Sequence, residues 1–482
     1  MNRRRFLKTS AGCAGFLFLS GCAKLVQKKQ PNILFIFADD QAFDTINALG
    51  YTDVQTPNLD RLVRNGVTFT HAYNMGAWHG AVCVASRTML NTGRFLWEAK
   101  ELEPELKSEQ ENGRFWSQFM KNAGYETYMS GKWHVKDINP HDIYDHVRDV
   151  RPGMPKDYFD WENPAKHHPG YDRPIENEPD AWSPYDTSLG GYWEGGTHWS
   201  QVLGNHAIDF FNQTKDKDTP FFMYLAFNAP HDPRQSPKEY VDRYPLDTIP
   251  LPKNYQPLYP EKEAIGCGKD LRDERLAPFP RTEYAVKVHR QEYYAIITHM
   301  DAQVGRILDA LAASGKADNT YIFFTADHGL ACGRHGLMGK QNMYDHSVRV
   351  PLFVSGPGVK KNTKIETPVY LQDIMPSALE LAGITKPDDV DFHSLMPLIH
   401  GKKQKNYDLI YGGYIDVQRM VCDGTFKLIY YPKIDKTILY NLEKDPLEMV
   451  DLAGDPQYER KINELRAKLL HLQKELADPL VK

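Results

Sequence analysis

Cysteine is scarce in this chain and follows neither a zinc-binding nor a disulfide pattern. Only six cysteines occur in 482 residues, and none of them shows the paired C-x-x-C spacing of a structural zinc site. Internal repeats and low-complexity runs are also lacking. The net charge is only −5, so bulk electrostatics give no reason to expect nucleic-acid binding. These shortages exclude a disulfide framework and a zinc finger, and leave open one disulfide among Cys267, Cys332 and Cys422.

The composition is that of a soluble globular protein with a large core. Hydrophobic residues make up 41% and charged residues 25% of the sequence, close to the average for such proteins. The length indicates two to three domains, or one large α/β domain with an appendage. Aromatic residues reach 12%, which is explained by buried rings or by a sugar-binding cleft.

The amino terminus resembles an export signal rather than part of the fold. Residues 2–8 contain three consecutive arginines, as in a twin-arginine signal, and the apolar run at 16–19 is too short to span a bilayer. Residues 19–22 resemble a lipobox whose Cys22 is acylated. We therefore expect residues 1–30 to be a signal and tether, and the protein to be exported, held by a lipid at the membrane, in the periplasm or at the cell surface of a bacterium. An uncleaved amino-terminal anchor is the alternative.

Strand and helix signals alternate over most of the chain. Thr56 and Pro57 suit the cap and the first position of a helix. Continuous apolar runs indicate buried strands, and amphipathic stretches indicate helices; the strands are expected at 31–37, 67–73, 125–129, 220–227, 319–325 and 350–354, and the helices at 56–63, 113–123, 200–212, 284–314 and 371–382. This alternation predicts an α/β fold, a doubly wound, mostly parallel sheet flanked by helices.

The carboxyl-terminal part has a different texture. From about residue 405, short alternating strands precede a charged helix at 457–476. We therefore predict a catalytic α/β domain at 31–404 and a smaller C-terminal subdomain at 405–482, with an antiparallel sheet and one packed helix. Two aromatic- and proline-rich segments without a lasting period, 135–200 and 233–282, are expected to be ordered and functional insertions.

Polar side chains follow four of the predicted strands. They are Asp39 and Asp40, Lys132 and His134, His231, and Asp327 with His328. One such residue is usually a cap or turn residue, but in a doubly wound fold the carboxyl ends of these strands meet at one edge. The three aspartates are hard oxygen ligands suited to Ca²⁺ or Mg²⁺, while a histidine nitrogen is less usual for calcium. The spacing predicts a metal-binding, polar site at this edge.

The stretch from Cys83 to Arg94 carries a nucleophile and a cation. Cys83 precedes Arg87 by four residues at an expected helix start, where anions are favoured; a buried cysteine beside a surface arginine is the alternative. The pattern C-x-A-S-R followed by T-G-R resembles the signature of the type I sulfatases. Ala85 departs from the commoner proline, which leaves open which maturation enzyme acts.

Further segments resemble the same family in the same order. They are N-I-L-F-I-F-A-D-D at 32–40, G-K-W-H at 131–134, A-P-H-D at 229–232, D-H-G at 327–329 with H-G at 335–336 and Lys340, and L-Y-N-L-E-K-D-P at 439–446. The resemblance covers about residues 31–455 and places the chain in the alkaline phosphatase superfamily.

The resemblance implies a role for each candidate. Cys83 is oxidised by a formylglycine-generating enzyme to 3-oxoalanine (formylglycine), whose hydrate is the nucleophile. The metal, Ca²⁺ rather than Mg²⁺, is held by this residue together with Asp39, Asp40, Asp327 and His328. The other implied roles are orientation and deprotonation of the hydrate by Arg87 and His134, charge neutralisation on the sulfuryl group by Lys132 and Lys340, and protonation of the leaving alcohol by His231.

These expectations define a sulfatase that hydrolyses O-sulfate esters. The expected substrate is a sulfated oligo- or polysaccharide, with Arg419 and His335 as further substrate contacts. Two alternatives stay open. One is a phosphonate monoester or phosphodiester hydrolase of the same superfamily, and the other is a non-catalytic protein that binds sulfated glycans through an unmodified Cys83.

Overall fold

The computed structural model describes residues 29–156, 171–176, 178 and 180–481. The predicted export signal and Cys22, the predicted site of lipidation, lie outside these residues. Pro31–Lys482 forms one compact unit, and a domain boundary at 404/405 stays a prediction. None of the helices in the described ranges has the length and apolar character that a membrane crossing requires.

The described strands form an eight-stranded sheet, a five-stranded sheet and two short sheets of three and two strands. In chain order they are β1 (Asn32–Ala38), β2 (Val67–Phe69), β3 (Ala72–Tyr73), β4 (Gly76–Ala77), β5 (Glu126–Lys132), β6 (His146–Arg151), β7 (Trp193–Glu194), β8 (Thr197–His198), β9 (Phe221–Ala226), β10 (Thr320–Ala326), β11 (Arg349–Val350), β12 (Leu352–Ser355), β13 (Thr363–Ile365), β14 (Val369–Tyr370), β15 (Ile410–Tyr414), β16 (Gln418–Cys422), β17 (Phe426–Tyr431) and β18 (Lys436–Asn441).

The large sheet has the order β13-β2-β12-β10-β1-β9-β5-β6. Strands β10, β1, β9, β5 and β6 pair in parallel, whereas β12 runs antiparallel to both of its neighbours. All seven residues of β1 are buried, because a central parallel strand is covered on both faces. The doubly wound, mostly parallel sheet predicted from the sequence is confirmed.

Two groups of helices contact this sheet. In chain order the helices are α1 (Pro57–Asn65), α2 (Val82–Thr92), α3 (Leu96–Leu102), α4 (Leu106–Glu111), α5 (Trp116–Asn122), α6 (Trp199–Thr214), α7 (Lys238–Val241), α8 (Glu283–Ala313), α9 (Asp345–Val348), α10 (Ile374–Leu381), α11 (Met396–Ile399) and α12 (Glu459–Glu475). Helices α1, α6 and α8 pack together, as do α2, α5 and α10. A short 3₁₀ turn at Leu371–Asp373 replaces the start of the predicted helix at 371–382.

The start of α1 differs in one detail from the prediction. Pro57 is the first helical residue, but the side chain of Thr56 makes no capping hydrogen bond. Instead, Asp301 of α8 accepts the backbone N–H groups of Asn58 (3.1 Å) and Leu59 (2.7 Å) through Oδ1. The carboxylate of Asp301 therefore caps the start of α1 in place of the Thr56 side chain.

The C-terminal sheet has the order β18-β17-β16-β15-β4, and α12 packs against β16 and β17. The pairs among β15 to β18 are antiparallel, as predicted. The fifth strand, β4, comes from far upstream and pairs with β15 in parallel. A Cβ on Gly76 would lie only 1.9 Å from the carbonyl oxygen of Gly413, so this close pairing requires glycine.

Candidate active site

The predicted polar residues gather at a cleft of about 660 Å³. The backbone brings the strand ends together: Asp39 N donates to the carbonyl of Ala229 (3.0 Å), and Asp327 N donates to that of Ala38 (3.2 Å). Residues lining the cleft include Cys83, His134, His231, Arg272, Lys340 and Gln341.

Cys83 lies in the first turn of α2 beside His134. All eleven residues of α2 are buried, which explains why its sequence shows no polar face. The helix ends at Gly93, whose φ of 76° and N–H bond to Met89 O form a left-handed C-cap. The Sγ atom of Cys83 lies 3.1 Å from Nδ1 of His134. The position predicted for the nucleophile is therefore fixed by a buried helix and contacts an imidazole at the cleft.

His134 is held as a neutral imidazole. Burial, reinforced by the charges of Lys132 and Arg87, lowers the pKa of His134 to about 3. Its backbone has a φ of 57°, and a Cβ on Gly153 would lie 2.3 Å from Cε1 of the ring. Gly153 therefore lets the following loop close over the imidazole, which is unprotonated at neutral pH.

A cluster of buried acids and a histidine lies under Cys83. Potential ligand atoms of Asp39, Cys83, Asp327 and His328 all lie within 4.8 Å of one another. Among the described residues, Asp39 Oδ1 and His328 Nε2 have no hydrogen-bond partner. His328 Nδ1 lies 3.0 Å from the carbonyl of Gly329, which can only accept, so Nδ1 carries the proton.

The other ring nitrogen of His328 faces carboxylates. Nε2 lies 3.2 Å from Asp40 Oδ1 and 3.5 Å from Asp327 Oδ1. An unprotonated Nε2 would direct its lone pair at these oxygens, which is repulsive unless a cation lies between them. Oxygen donors with one imidazole therefore fit a divalent metal ion.

Each aspartate of the cluster also contacts a cation. Lys132 Nζ contacts Asp39, and Lys340 Nζ lies 2.9 and 3.0 Å from the two oxygens of Asp40. Burial nevertheless raises the pKa of Asp40, although Lys340 opposes this. Asp40 thus retains unmet demand for positive charge.

Arg87 joins the helix to the acid cluster. Its Nε lies 3.0 Å from Asp327 Oδ2, and its Nη1 donates to Lys132 O at 2.9 Å. The guanidinium lies 4.5 Å from the ring centroid of Phe37, and no other described residue pairs with Nη2. Arg87 therefore fixes Asp327 relative to Cys83 and is not a surface arginine.

Three functional-site residues escaped the sequence reasoning. Asp232 Oδ1 lies 3.2 Å from His231 Nδ1, Arg272 pairs with Asp232, and Asp273 pairs with Arg272 and lies 3.6 Å from Lys340 Nζ. Asp232 belongs to the A-P-H-D segment and could have been noticed there. Arg272 and Asp273 lie in the segment 233–282, which has no period or motif that marks them.

The structure corrects the two further substrate contacts. Arg419 is fully buried and pairs with Asp478, so it is not available to a substrate. His335 stacks on Tyr344 at 4.0 Å, and its Nε2 lies 2.9 Å from Glu448 O. Neither residue lines the cleft, because both take part in the packing of the C-terminal sheet.

A doubly wound sheet thus carries acids, cations and a helix-borne cysteine at its carboxyl edge. Comparison with known proteins gives the family. The profile described as Sulfatase matches residues 31–384, and that described as N-sulphoglucosamine sulphohydrolase, C-terminal, matches residues 333–475. The arylsulfatase of Clostridium perfringens (strain 13 / Type A) is 30% identical over 92% of this chain and 94% of its own length. The chain belongs to the sulfatase family and is a sulfuric ester hydrolase.

Solved structures share the fold. A protein in complex with its substrate D-glucosamine-2-N,6-O-disulfate superposes with a TM-score of 0.70 at 23% identity, covering 94% of this chain and 99% of that chain. The phosphonate monoester hydrolase from Silicibacter pomeroyi gives a TM-score of 0.71 at 20% identity, covering 93% and 96%. This chain, the disulfate-bound protein and the phosphonate monoester hydrolase thus share one fold.

Proposed function

We propose that this protein is a formylglycine- and calcium-dependent sulfatase that hydrolyses O-sulfate esters of carbohydrates derived from polysaccharides. The observation that carries the proposal is the position of Cys83. It lies on a buried helix, beside a neutral imidazole and within reach of an acid cluster with unmet demand for a cation. A binding protein has no need for these features together.

The metal is assigned to the acid cluster. Asp39, Asp40, Asp327 and His328 would hold Ca²⁺ together with the modified side chain of Cys83, in keeping with the orphaned atoms of Asp39 and His328. When bound, the ion polarises sulfate oxygens and lowers the pKa of a coordinated hydroxyl. Lys132 and Arg87 hold the carboxylates in position through their contacts with Asp39 and Asp327.

Formylglycine made from Cys83 would supply an aldehyde hydrate as the nucleophile. The residues around it serve that chemistry. His134 accepts a proton, since its pKa keeps the ring neutral and its Nδ1 faces position 83 at 3.1 Å. Arg87 keeps α2 aligned with Asp327.

Two lysines, Lys340 and Lys132, act on the sulfuryl group, and His231 acts on the leaving alcohol. Lys340 and Lys132 offset negative charge that develops in the transition state. His231 uses Nδ1 in a 2.6 Å hydrogen bond to the carbonyl of Asp232, which leaves Nε2 for the leaving oxygen. Burial and the charge of Lys340 hold the pKa of His231 well below its usual range, so an anionic substrate is needed to favour its protonated form.

A sulfated sugar is the proposed substrate class. Support comes from the glucosamine disulfate bound by the structural relative and from the C-terminal match to N-sulphoglucosamine sulphohydrolases. Export and lipidation at Cys22 are proposed from the sequence alone, and they would place the enzyme where external polysaccharides are degraded.

Peptide mass spectrometry across Cys83 tests the modification. Conversion of the thiol to an aldehyde lowers the peptide mass, whereas ordinary thiol oxidation adds oxygen and raises it. An unmodified thiol in protein made with its maturation machinery would contradict the proposal and favour glycan binding. Rates on matched sulfate and phosphonate esters test the reaction: a preference for the phosphonate ester would replace the sulfatase proposal with the phosphonate hydrolase.

A further inference from the structure

A continuous series of polar contacts borders the cleft and links His231, the proposed proton donor, to Lys340. His231 Nδ1 faces Asp232 Oδ1 at 3.2 Å. Arg272 donates two hydrogen bonds to Asp232, from Nη1 to Oδ2 at 2.6 Å and from Nη2 to Oδ1 at 3.2 Å. The same guanidinium contacts Asp273, whose Oδ2 lies 3.6 Å from Lys340 Nζ.

The arrangement is rigid because its members are buried and multiply bonded. Side-chain exposure is 3% for Asp232, 5% for Asp273 and 10% for Arg272. Tyr171 accepts from Arg272 Nη1 at 2.8 Å and donates to Asp232 Oδ2 at 3.3 Å. A two-pronged guanidinium–carboxylate pair fixes orientation as well as charge, which a lysine cannot reproduce.

We propose that Arg272 is a positioning residue that acts through Asp232 on His231 and thereby adapts the enzyme to esters with poor leaving groups, the alcohols of sugars. The inference rests on the proposed role of His231 as proton donor. Asp232 presents both its backbone carbonyl and its carboxylate to Nδ1 of His231. These two contacts hold the imidazole ring in one orientation. Arg272 fixes the position of Asp232 through its two hydrogen bonds.

The chemistry explains why the loss of rate from a poorly placed His231 depends on the leaving group. A hydroxyl oxygen of the hydrate proposed at position 83 bonds to sulfur as the bond between sulfur and the ester oxygen breaks. The electron pair of the broken bond stays on the ester oxygen, and His231 gives that oxygen a proton, which the ring later regains from water. A sugar alkoxide is a strong base and cannot leave without this proton. A nitrophenolate is stabilised by its ring and leaves unassisted, so poor placement of His231 matters little for an aryl sulfate.

Asp273 provides an internal contrast. It contacts the far side of Arg272 and helps to place Lys340, which acts on the sulfuryl group that every substrate shares. Disturbing Asp273 should therefore slow good and poor leaving groups alike. Disturbing Asp232 should slow only the poor ones.

The experiment compares kcat and KM of the full, matured enzyme on 4-nitrophenyl sulfate and on a monosulfated glucosamine. The variants are His231→Ala, Asp232→Asn, Arg272→Gln, Arg272→Lys and Asp273→Asn. Arg275→Gln is the matched control, since Arg275 lies in the same segment but pairs with the exposed Asp172. Circular dichroism and melting curves establish that each variant folds.

We expect Asp232→Asn and Arg272→Gln to lower kcat on the sugar sulfate by about 10- to 100-fold, part of the roughly 10²- to 10⁴-fold that general acid catalysis contributes, and to change the aryl rate by less than about threefold. His231→Ala should show the same selectivity with the full loss of general acid catalysis on the sugar sulfate. Arg275→Gln should show no selectivity. Equal losses on both substrates, or no loss on either, would overturn the inference. If Arg272→Gln does not fold, Arg272→Lys must show the selective loss.

The outcomes also separate this inference from the proposed function. A wild-type enzyme that hydrolyses neither sulfate ester contradicts the proposed function, and the inference with it. A wild-type enzyme active on both, with His231→Ala unselective, contradicts the role of His231 and with it the positioning role of Arg272, while the sulfatase activity stands. Activity on both with a selective His231→Ala and an unselective Arg272→Gln contradicts only the positioning role.

Discussion

Replacing Arg419 by methionine tests whether this residue is structural, as its contacts indicate, or binds substrate. Its Nε and Nη2 bond the two oxygens of Asp478 at 2.6 and 2.7 Å. Nη1 donates to the carbonyls of Ile415 and Gln418 at 2.8 and 2.7 Å. The guanidinium lies 4.6 Å from the ring of Trp97, and both charged side chains are fully buried.

The magnitude follows from this geometry. Removing one partner of a buried pair costs about 3 to 5 kcal/mol, because the other charge stays buried without its partner. Unfolding entropy of about 2 cal/mol/K per residue gives about 1 kcal/mol per degree for a unit of this length. We therefore expect the melting temperature of Arg419→Met to fall by about 3 to 5 °C.

Pairing the change with Asp478→Asn should recover part of the loss, because the amide is neutral and can still bond Tyr411 and Gln473, which contact Asp478 in the wild type. The assay is thermal unfolding of both single variants and the double variant, with KM measured on a sulfate ester. A raised KM with unchanged melting temperature would refute the structural role and restore Arg419 as a substrate contact.

Three further outcomes are expected. Chelation of Ca²⁺ should lower the melting temperature by about 3 °C, since a ligand at 100 times its Kd contributes about 2.7 kcal/mol; Asp327→Asn should abolish this shift, and an unchanged shift would contradict the assigned site. Cys83→Ala should fold normally yet lose turnover, measured by sulfate release at matched melting temperature. Burial raises the pKa of Asp301 to about 6, above its unfolded value, so its contribution to stability is full below about pH 4 and is lost as pH rises through 6. Asp301→Asn should remove this slope in urea unfolding between pH 4 and 7, and an unaltered slope would show that another group causes it.

Hydrophobic patterning predicted the central sheet well because buried parallel strands are continuous apolar runs. The run at 31–37 corresponds to β1, and the strands at 220–227 and 319–325 correspond to β9 and β10 within two residues at each end. The convergence of Asp39, His134, His231 and Asp327 then followed from topology, since parallel strands end at one edge.

Residues that act through tertiary contacts could not be found in the same way. Arg272 and Asp273 begin a short 3₁₀ helix, Arg272–Leu276, inside an aperiodic segment, and only the folded chain places them against Asp232 and Lys340. Arg419 was misjudged because a lone arginine before a strand gives no sign of a partner 59 residues away. β4 is two residues long, too short for any alternation to mark it as a strand.

The pairing of β4 with β15 has a consequence for the order of events during synthesis. Gly76 and its partner Gly413 are separated by most of the chain, and chains emerge from the ribosome amino terminus first. The C-terminal sheet therefore cannot close until nearly the whole protein has been made. Until then, the segment that leads into Cys83 lacks one of the surfaces that later bury it. This delay would leave Cys83 within reach of the maturation enzyme proposed above.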